Sequence, residues 1–347
     1  MSAKIPRPLV LWRFKDGKPG HEKQTQGLCD ALARRTTVRI LEIPVERGWK
    51  NLLHWLTGRF PAGHDLPAPD LLIGAGQATH LPLLAARRAF GGRTVVLMRP
   101  SLPLALFDLC LIPEHDAPPR RANVIPTLGA LNNLIPQGRH VPDQGLILVG
   151  GPSGHFQWDS RAVARQIGEL VRTRTDMAWT LTTSRRTPPE FLGHLDAAPL
   201  ELCPVETTPP GWLEDRLHRA GEAWVTPDSV SMVYEALTAG CRVGLFDLPA
   251  RPGSRVARGV MDLKSKGYVS AFPPGRDRPV RGGVTLEKAP NDSPPPRGEG
   301  LGERGRRPLI SPLPSPHPLP AGEGAIHPRG LNEADRCARI ILEKWFP

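Results

Sequence analysis

Short apolar runs alternate with amphipathic stretches along this chain, and two of the runs end in glycines. These are Leu71-Leu72-Ile73-Gly74-Ala75-Gly76 and Leu146-Ile147-Leu148-Val149-Gly150-Gly151. An apolar run of this length, without polar alternation, suits a strand buried on both faces. Strands are expected over 9–12, 38–43, 70–76, 94–98 and 109–112, and helices over 24–34 and 81–89. A second series follows: strands over 144–151, 179–183, 223–225 and 241–246, with a helix over 160–173. Strands alternating with helices imply a parallel sheet covered by helices on both faces.

The pattern restarts near residue 140. The fold class read from it is α/β, with two Rossmann-like domains facing a cleft, over residues 1–140 and 141–272. Ligands of such sheets bind outside the carboxyl ends of the strands. Residues 273–330 break the pattern. Pro, Gly, Ser and charge alternate there, as in Ser293-Pro294-Pro295-Pro296-Arg297-Gly298-Glu299-Gly300. Such a composition cannot bury enough apolar surface to fold, so this stretch reads as a disordered insertion. Its Gly-Glu and Ser-Pro/Leu-Pro runs match what the two strands of an inverted DNA repeat can encode. Residues 331–347 regain a helical stripe, with Ala334, Ala338, Ile341 and Trp345 expected to pack back onto the folded body.

Charge and cysteine usage narrow the class. The 347 residues hold 45 Lys+Arg against 34 Asp+Glu, a formal charge of +11. That excess favours phosphorylated ligands or an anionic membrane surface. The cations are scattered and aromatic residues are few, so specific nucleic-acid binding is not expected. The five cysteines are far apart, with no CxxC pair, which suits a reducing cytoplasm rather than a disulfide or zinc framework. No apolar run approaches the roughly 20 residues of a membrane span, which leaves peripheral attachment at an inner membrane open.

Five segments carry candidate chemistry. The loop Asp16-Gly17-Lys18-Pro19-Gly20-His21, running on to Gln24, joins the first strand to the first helix. Gly17 and Gly20 allow close backbone approach, and Lys18 and His21 can meet an anion; a plain turn and cap is the competing reading. Glu114-His115-Asp116 follows a strand end. His115 there is a candidate acid or base, or a structural residue, and with no second metal-spaced His nearby a metal site is not expected. Val149-Gly150-Gly151-Pro152-Ser153 has the form of a diphosphate turn. Thr183-Ser184-Arg185-Arg186 suits phosphate or base contact, or is a solvated basic turn. Finally, Thr226-Pro227-Asp228 leads into a helix ending at Gly240, with Asp228 expected as N-cap. At about 100° per residue, Asp228, Ser231, Met232 and Glu235 share one stripe, and Val230, Val233 and Leu237 the opposite one. The polar stripe suits a hydroxyl-rich, phosphate-bearing ligand; an ordinary amphipathic surface helix is the alternative.

In this order, DGKPGHEKQ, PEHD with NVIPTLGALN, the strand end VGG, TTSRRTP and VTPDSVSMVYEALTAG resemble the mitochondrial fission Elm family. The resemblance covers about residues 8–270 and the last helix. The family pattern lacks the Pro/Gly-rich stretch. Its architecture is similar to that of the GT-B glycosyltransferases, which hold a nucleotide sugar in the second domain. Carried over by motif, Gly150, Gly151 and Ser153 would face the diphosphate, and Ser184 and Arg185 the base or phosphate. Asp228, Ser229, Ser231 and Glu235 would line the donor site. His21 or Asp16 would be the catalytic base, and Gly17, Lys18, Gly20 and Gln24 would face the acceptor or its phosphate. The implied activity is transfer from a nucleotide-diphosphate sugar to a cell-envelope or lipid-linked acceptor, with no bound cofactor. Helix N-termini and Arg185 would stabilise the leaving diphosphate, so a metal is not required. The alternative is a non-enzymatic adaptor at a membrane surface, related to the plant fission factor.

Overall fold

The computed structural model describes residues 7–46, 48–195, 199–273 and 331–347. The first domain contains β1 (Leu9–Lys15), α1 (Pro19–Ala33), β2 (Val38–Pro44), α2 (Lys50–Thr57), β3 (Leu71–Ala75), α3 (His80–Phe90), β4 (Arg93–Leu97), β5 (Leu109–Pro113) and β6 (Val124–Thr127). The second contains β7 (Val141–Leu148), α4 (Ser160–Thr173), β8 (Ala178–Thr182), β9 (Leu200–Leu202), α5 (Trp212–Arg219), β10 (Ala220–Val225), α6 (Val230–Ala239), β11 (Arg242–Leu245), α7 (Arg255–Ser265) and β12 (Ser270–Ala271). The last helix is α8 (Glu333–Trp345). The α/β class and the two Rossmann-like sheets are as expected. The expected insertion lies outside the described residues, apart from Pro273 at its edge.

Both sheets are parallel and six-stranded, in the orders β2-β1-β3-β4-β5-β6 and β12-β11-β10-β7-β8-β9. The strand order reverses at β1/β3 in the first sheet and at β7/β10 in the second. In open α/β sheets these reversals open crevices at the carboxyl edge. One face of the first sheet is packed by α1 and α8 through Leu11, Leu28, Leu32, Ala338 and Ile341. The other is packed through Trp12, Phe14, Phe60 and Leu83. A single larger core joins both faces of the second sheet, around Ile147, Ile167, Trp224, Val233 and Val260.

The chain crosses between domains after Thr127 and again before α8. Leu128 N–H donates to Glu333 Oε2 at 3.0 Å, and Tyr234 Oη donates to the Leu128 carbonyl at 2.8 Å. Gly27 of α1 has no room for a side chain, since a Cβ there would lie 2.2 Å from the Asn132 carbonyl oxygen. The crossing segment is thereby wedged between α1 and α6. Although α8 is last in sequence, it packs on α1, where Arg35 pairs with Asp335.

Several elements differ from the sequence reading. The helix expected from residue 24 begins at Pro19, because proline is well suited to the first turn. β9 and β12 are too short to show periodicity. α2 was not apparent in the pattern because Leu52, Leu53 and Leu56 point away from the core.

Candidate functional site

At the β1/β3 reversal the loop Asp16–Lys18 folds on itself. Asp16 Oδ1 accepts from Lys18 N–H at 3.2 Å, and Asp16 Oδ2 lies 2.8 Å from His21 Nδ1. The Asp16 side chain is 1% exposed and that of His21 19%. Gly17 supports the turn with φ +77°, and Gly17 N–H donates to Glu22 Oε1. Gly76, at the end of β3, closes the other side: a Cβ there would lie 2.3 Å from the imidazole. A buried carboxylate therefore orients a half-buried imidazole, and His21 Nε2 has no hydrogen-bond partner among the described residues. This is the geometry of an oriented general base.

The first turn of α1 is positioned from beneath by Arg13, a buried residue of β1. Its guanidinium donates to the Glu22 carbonyl at 2.7 Å and to Thr25 Oγ1 at 3.0 Å, and it pairs with Glu42. Lys18 and Gly20 are exposed at the mouth of the loop, and Gln24 is buried one turn beyond His21.

At the β7/β10 reversal the glycine turn is occupied by the protein itself. Gly150 N–H donates to Thr226 Oγ1 at 2.7 Å, and Gly151 N–H to Asp228 Oδ2 at 2.8 Å. The space a Gly150 Cβ would need is filled by the Asp228 carboxylate, 2.3 Å away, and that of Gly151 by the Arg186 carbonyl, 2.0 Å away. Both amides that the diphosphate was expected to meet are thus engaged internally. Burial pushes the Asp228 carboxyl up, while the Gly151 amide, Thr226 and Arg186 oppose the shift.

Asp228 is accordingly not the N-cap of α6. The helix starts at Val230, its cap position is Ser229, and no side chain caps it. No side chain among the described residues therefore accepts from the first-turn amides of α6. The stripe expected to be open is also differently placed. Val230 is partly buried and Val233 and Leu237 are buried, as expected of the core stripe. Ser231 is exposed, but Glu235 is 4% exposed and its Oε1 accepts from Lys23 Nζ of α1 at 2.8 Å. α6 is therefore an interior helix at the domain seam rather than a surface helix. Burial pushes the Glu235 carboxyl up, and Lys23 opposes this.

The remaining candidates divide. Ser184 Oγ donates to the Gly150 carbonyl at 3.0 Å, and Ser153 Oγ accepts from the His155 and Phe156 amides, so both hydroxyls shape turns. Arg185 is exposed, whereas Arg186 reaches Asp228 Oδ2 at 3.0 Å and the Gly151 and Pro152 carbonyls. Glu114 pairs with Lys266 at 2.6 Å, and the His115 side chain fills the space beside Gly259 of α7. Burial holds the His115 imidazole below its usual range, with Arg255 and His155 adding to this and Asp116 opposing it. This segment joins the two domains. Among the described residues no group of three or more His, Cys, Asp or Glu is placed to hold a metal.

Lys23 was not singled out from sequence, and Gly76, Arg186 and Thr226 entered only as members of their segments, without the partners they have here. The glycine just past β3 and the hydroxyl directly after β10 were the available signals; the partners of Lys23 and Arg186 are remote in sequence.

Over residues 19–292 the chain matches the family described as mitochondrial fission ELM1. No curated protein matches it. Solved structures similar to it include the spinosyn forosaminyltransferase SpnP, at 13% identity, covering 78% of this chain and 87% of that one, with a TM-score of 0.46. The S. aureus MnaA–UDP co-structure is 12% identical, over 74% of this chain and 88% of that one, with a TM-score of 0.40. E. coli heptosyltransferase WaaC with ADP is 12% identical, over 72% and 90%, with a TM-score of 0.41. Each is a likeness of overall layout and of nothing finer.

Proposed function

The chain belongs to the mitochondrial fission ELM1 family, and we propose that it transfers a sugar from a nucleotide-diphosphate donor to the hydroxyl of a lipid-linked or cell-envelope acceptor. The observation that carries this reading is the buried Asp16 carboxylate 2.8 Å from His21 Nδ1, at the strand-order reversal of the first sheet. His21 Nε2 takes the proton of the acceptor hydroxyl. The acceptor oxygen bonds to the anomeric carbon, and the bond from that carbon to the diphosphate oxygen breaks. The nucleoside diphosphate leaves with the bonding pair. Asp16 stabilises the imidazolium that forms and keeps Nε2 directed outward.

Because Asp228 and Thr226 already satisfy Gly151 and Gly150, the leaving diphosphate is assigned to the uncapped first turn of α6, near Ser229 and Ser231, with the exposed Arg185 as its cation. Glu235 would meet the donor ribose only on release from Lys23. Calorimetry and thermal shift against a panel of nucleotide sugars test the proposal. Binding of at least one donor, weakened by Ser231→Trp, is expected; a panel with no binder would overturn it.

The adaptor reading is favoured by one observation: the Gly150 and Gly151 amides and the Glu235 carboxylate are all satisfied within the protein. It requires function in cells to survive His21→Ala.

A further inference from the structure

Among the described residues, Trp49, Leu52, Leu53 and Leu56 are 74%, 45%, 45% and 58% exposed. They make up most of the exposed large apolar side chains; Ile135, Leu202 and Met261 are scattered singly. Their spacing of i, i+3, i+4 and i+7 puts them on one stripe of α2 and its cap. The opposite side of this helix is held down, since Trp55 packs on the core containing Trp12 and Phe60. α2 thus packs along α3, with Trp55 reaching that core, and presents a continuous apolar ridge to solvent. Such a patch on a chain's surface marks an interaction site.

The surroundings identify the partner. Lys50 and Arg59 flank the ridge, both exposed, and Arg88 donates to the Trp55 carbonyl at 3.3 Å at the helix end. The charge of the whole domain has the same sign. Residues 7–140 hold 18 Lys+Arg against 10 Asp+Glu, while residues 141–273 hold 14 against 15. A Trp/Leu ridge rimmed by cations, on the cationic half of a protein, fits the boundary between anionic headgroups and acyl chains. We propose that α2 docks the first domain onto an anionic lipid surface, with the leucines entering the acyl boundary and Lys50 and Arg59 meeting the headgroups. No helix among the described residues is long and apolar enough to cross a membrane, so this contact is one of lying on the surface.

The docking also has a direction. β1 and β2 pair in parallel from Leu9↔Val38 to Lys15↔Pro44, so the chain leaves β2 toward α2 at the same sheet edge that carries Asp16–His21. On the transferase reading, this brings the His21 side of the cleft toward lipid-borne hydroxyls. The docking itself does not depend on that reading and is measured without nucleotide.

The test is sedimentation of the full chain with phosphatidylcholine vesicles, with and without phosphatidylglycerol. Wild type is expected to bind the phosphatidylglycerol vesicles. Leu52→Glu/Leu56→Glu should weaken binding at least ~10-fold, since two leucines leave the acyl boundary and two charges replace them. Lys50→Glu/Arg59→Glu should abolish the preference for anionic lipid. All altered side chains are exposed, so the thermal midpoint should stay at the wild-type value, which separates lost docking from lost folding. Wild type that ignores both vesicle types, or a leucine double variant that binds like wild type, would overturn the proposal. So would light scattering that shows a wild-type dimer converted to a monomer by Leu52→Glu/Leu56→Glu, because the ridge would then cover a second copy.

Discussion

Lys23 Nζ lies 2.8 Å from Glu235 Oε1 and ties the first turns of α1 to α6 across the domain seam. The two partners are unequally exposed, with side chains 36% and 6% accessible. Lys23→Met leaves a carboxylate buried and unpaired. It should cost about 1–2 kcal/mol, less than a fully buried pair because Lys23 is partly in water. Glu235→Gln removes the charge that burial penalises and should stay within about 1 kcal/mol of wild type. Urea unfolding at neutral pH measures both; equal costs for the two variants would contradict the asymmetry.

The dependence on pH has two contributions of opposite sign. Burial raises the folded pKa of Glu235, so its ionised form costs stability above that pKa, and the cost disappears as pH falls through it. Burial lowers the His80 imidazole to about 4. Its contribution is complete above about 6.5 and is lost as pH falls toward 4, at up to about 1.4 kcal/mol per pH unit. His80 is the first residue of α3, with Nδ1 3.2 Å from Ser101 Oγ and its ring against Phe107. His80→Gln should therefore flatten the acid side of the stability curve, and Glu235→Gln should steepen it. Denaturant titrations between pH 7 and 4 distinguish the two.

On the transferase proposal, His21→Ala should lower the rate of sugar transfer by about 10²–10⁴ and leave donor affinity nearly unchanged, because the proposed base acts on the acceptor proton. Gly76→Ala approaches the same residue from behind. Its φ of +82° resists a side chain and its Cβ would lie 2.3 Å from the imidazole. It should cost about 1–3 kcal/mol of stability and also displace His21. A Gly76→Ala enzyme with wild-type kcat would refute the positioning role.

Gly150→Ala and Gly151→Ala should both destabilise, for different reasons. The first meets the Asp228 side chain and the second the Arg186 backbone. A side chain can be removed, so Asp228→Ala should partly relieve Gly150→Ala, with a coupling of about 1–3 kcal/mol, and should leave the Gly151→Ala cost largely intact. Additive effects in the Gly150/Asp228 cycle would argue against the packing described.

Much of the fold was legible because it rests on local rules. Uniform apolar runs announced β3 and β7, and the helix expected over 160–173 is α4 at Ser160–Thr173. The site was legible only in outline. The loop Asp16–His21 could be placed at a strand end, and with it the residues of the proposed base. Asp228 could not be assigned, because a carboxylate before a helix reads as a cap whether it turns outward to the helix or inward to a glycine amide.

By itself, the sequence determined that two parallel α/β sheets form, where their glycine turns fall, and that His21 and Asp16 share one turn. Burial periodicity and backbone sterics act over a few residues, so they are readable along the chain. Tertiary structure alone decided that Asp228 fills the Gly150–Gly151 turn, that Lys23 meets Glu235, and that Leu52, Leu53 and Leu56 of α2 stay exposed among the described residues. Each depends on which groups arrive within a few ångströms from distant parts of the chain. Desolvation and hydrogen bonding act only at that range, and no local pattern encodes it.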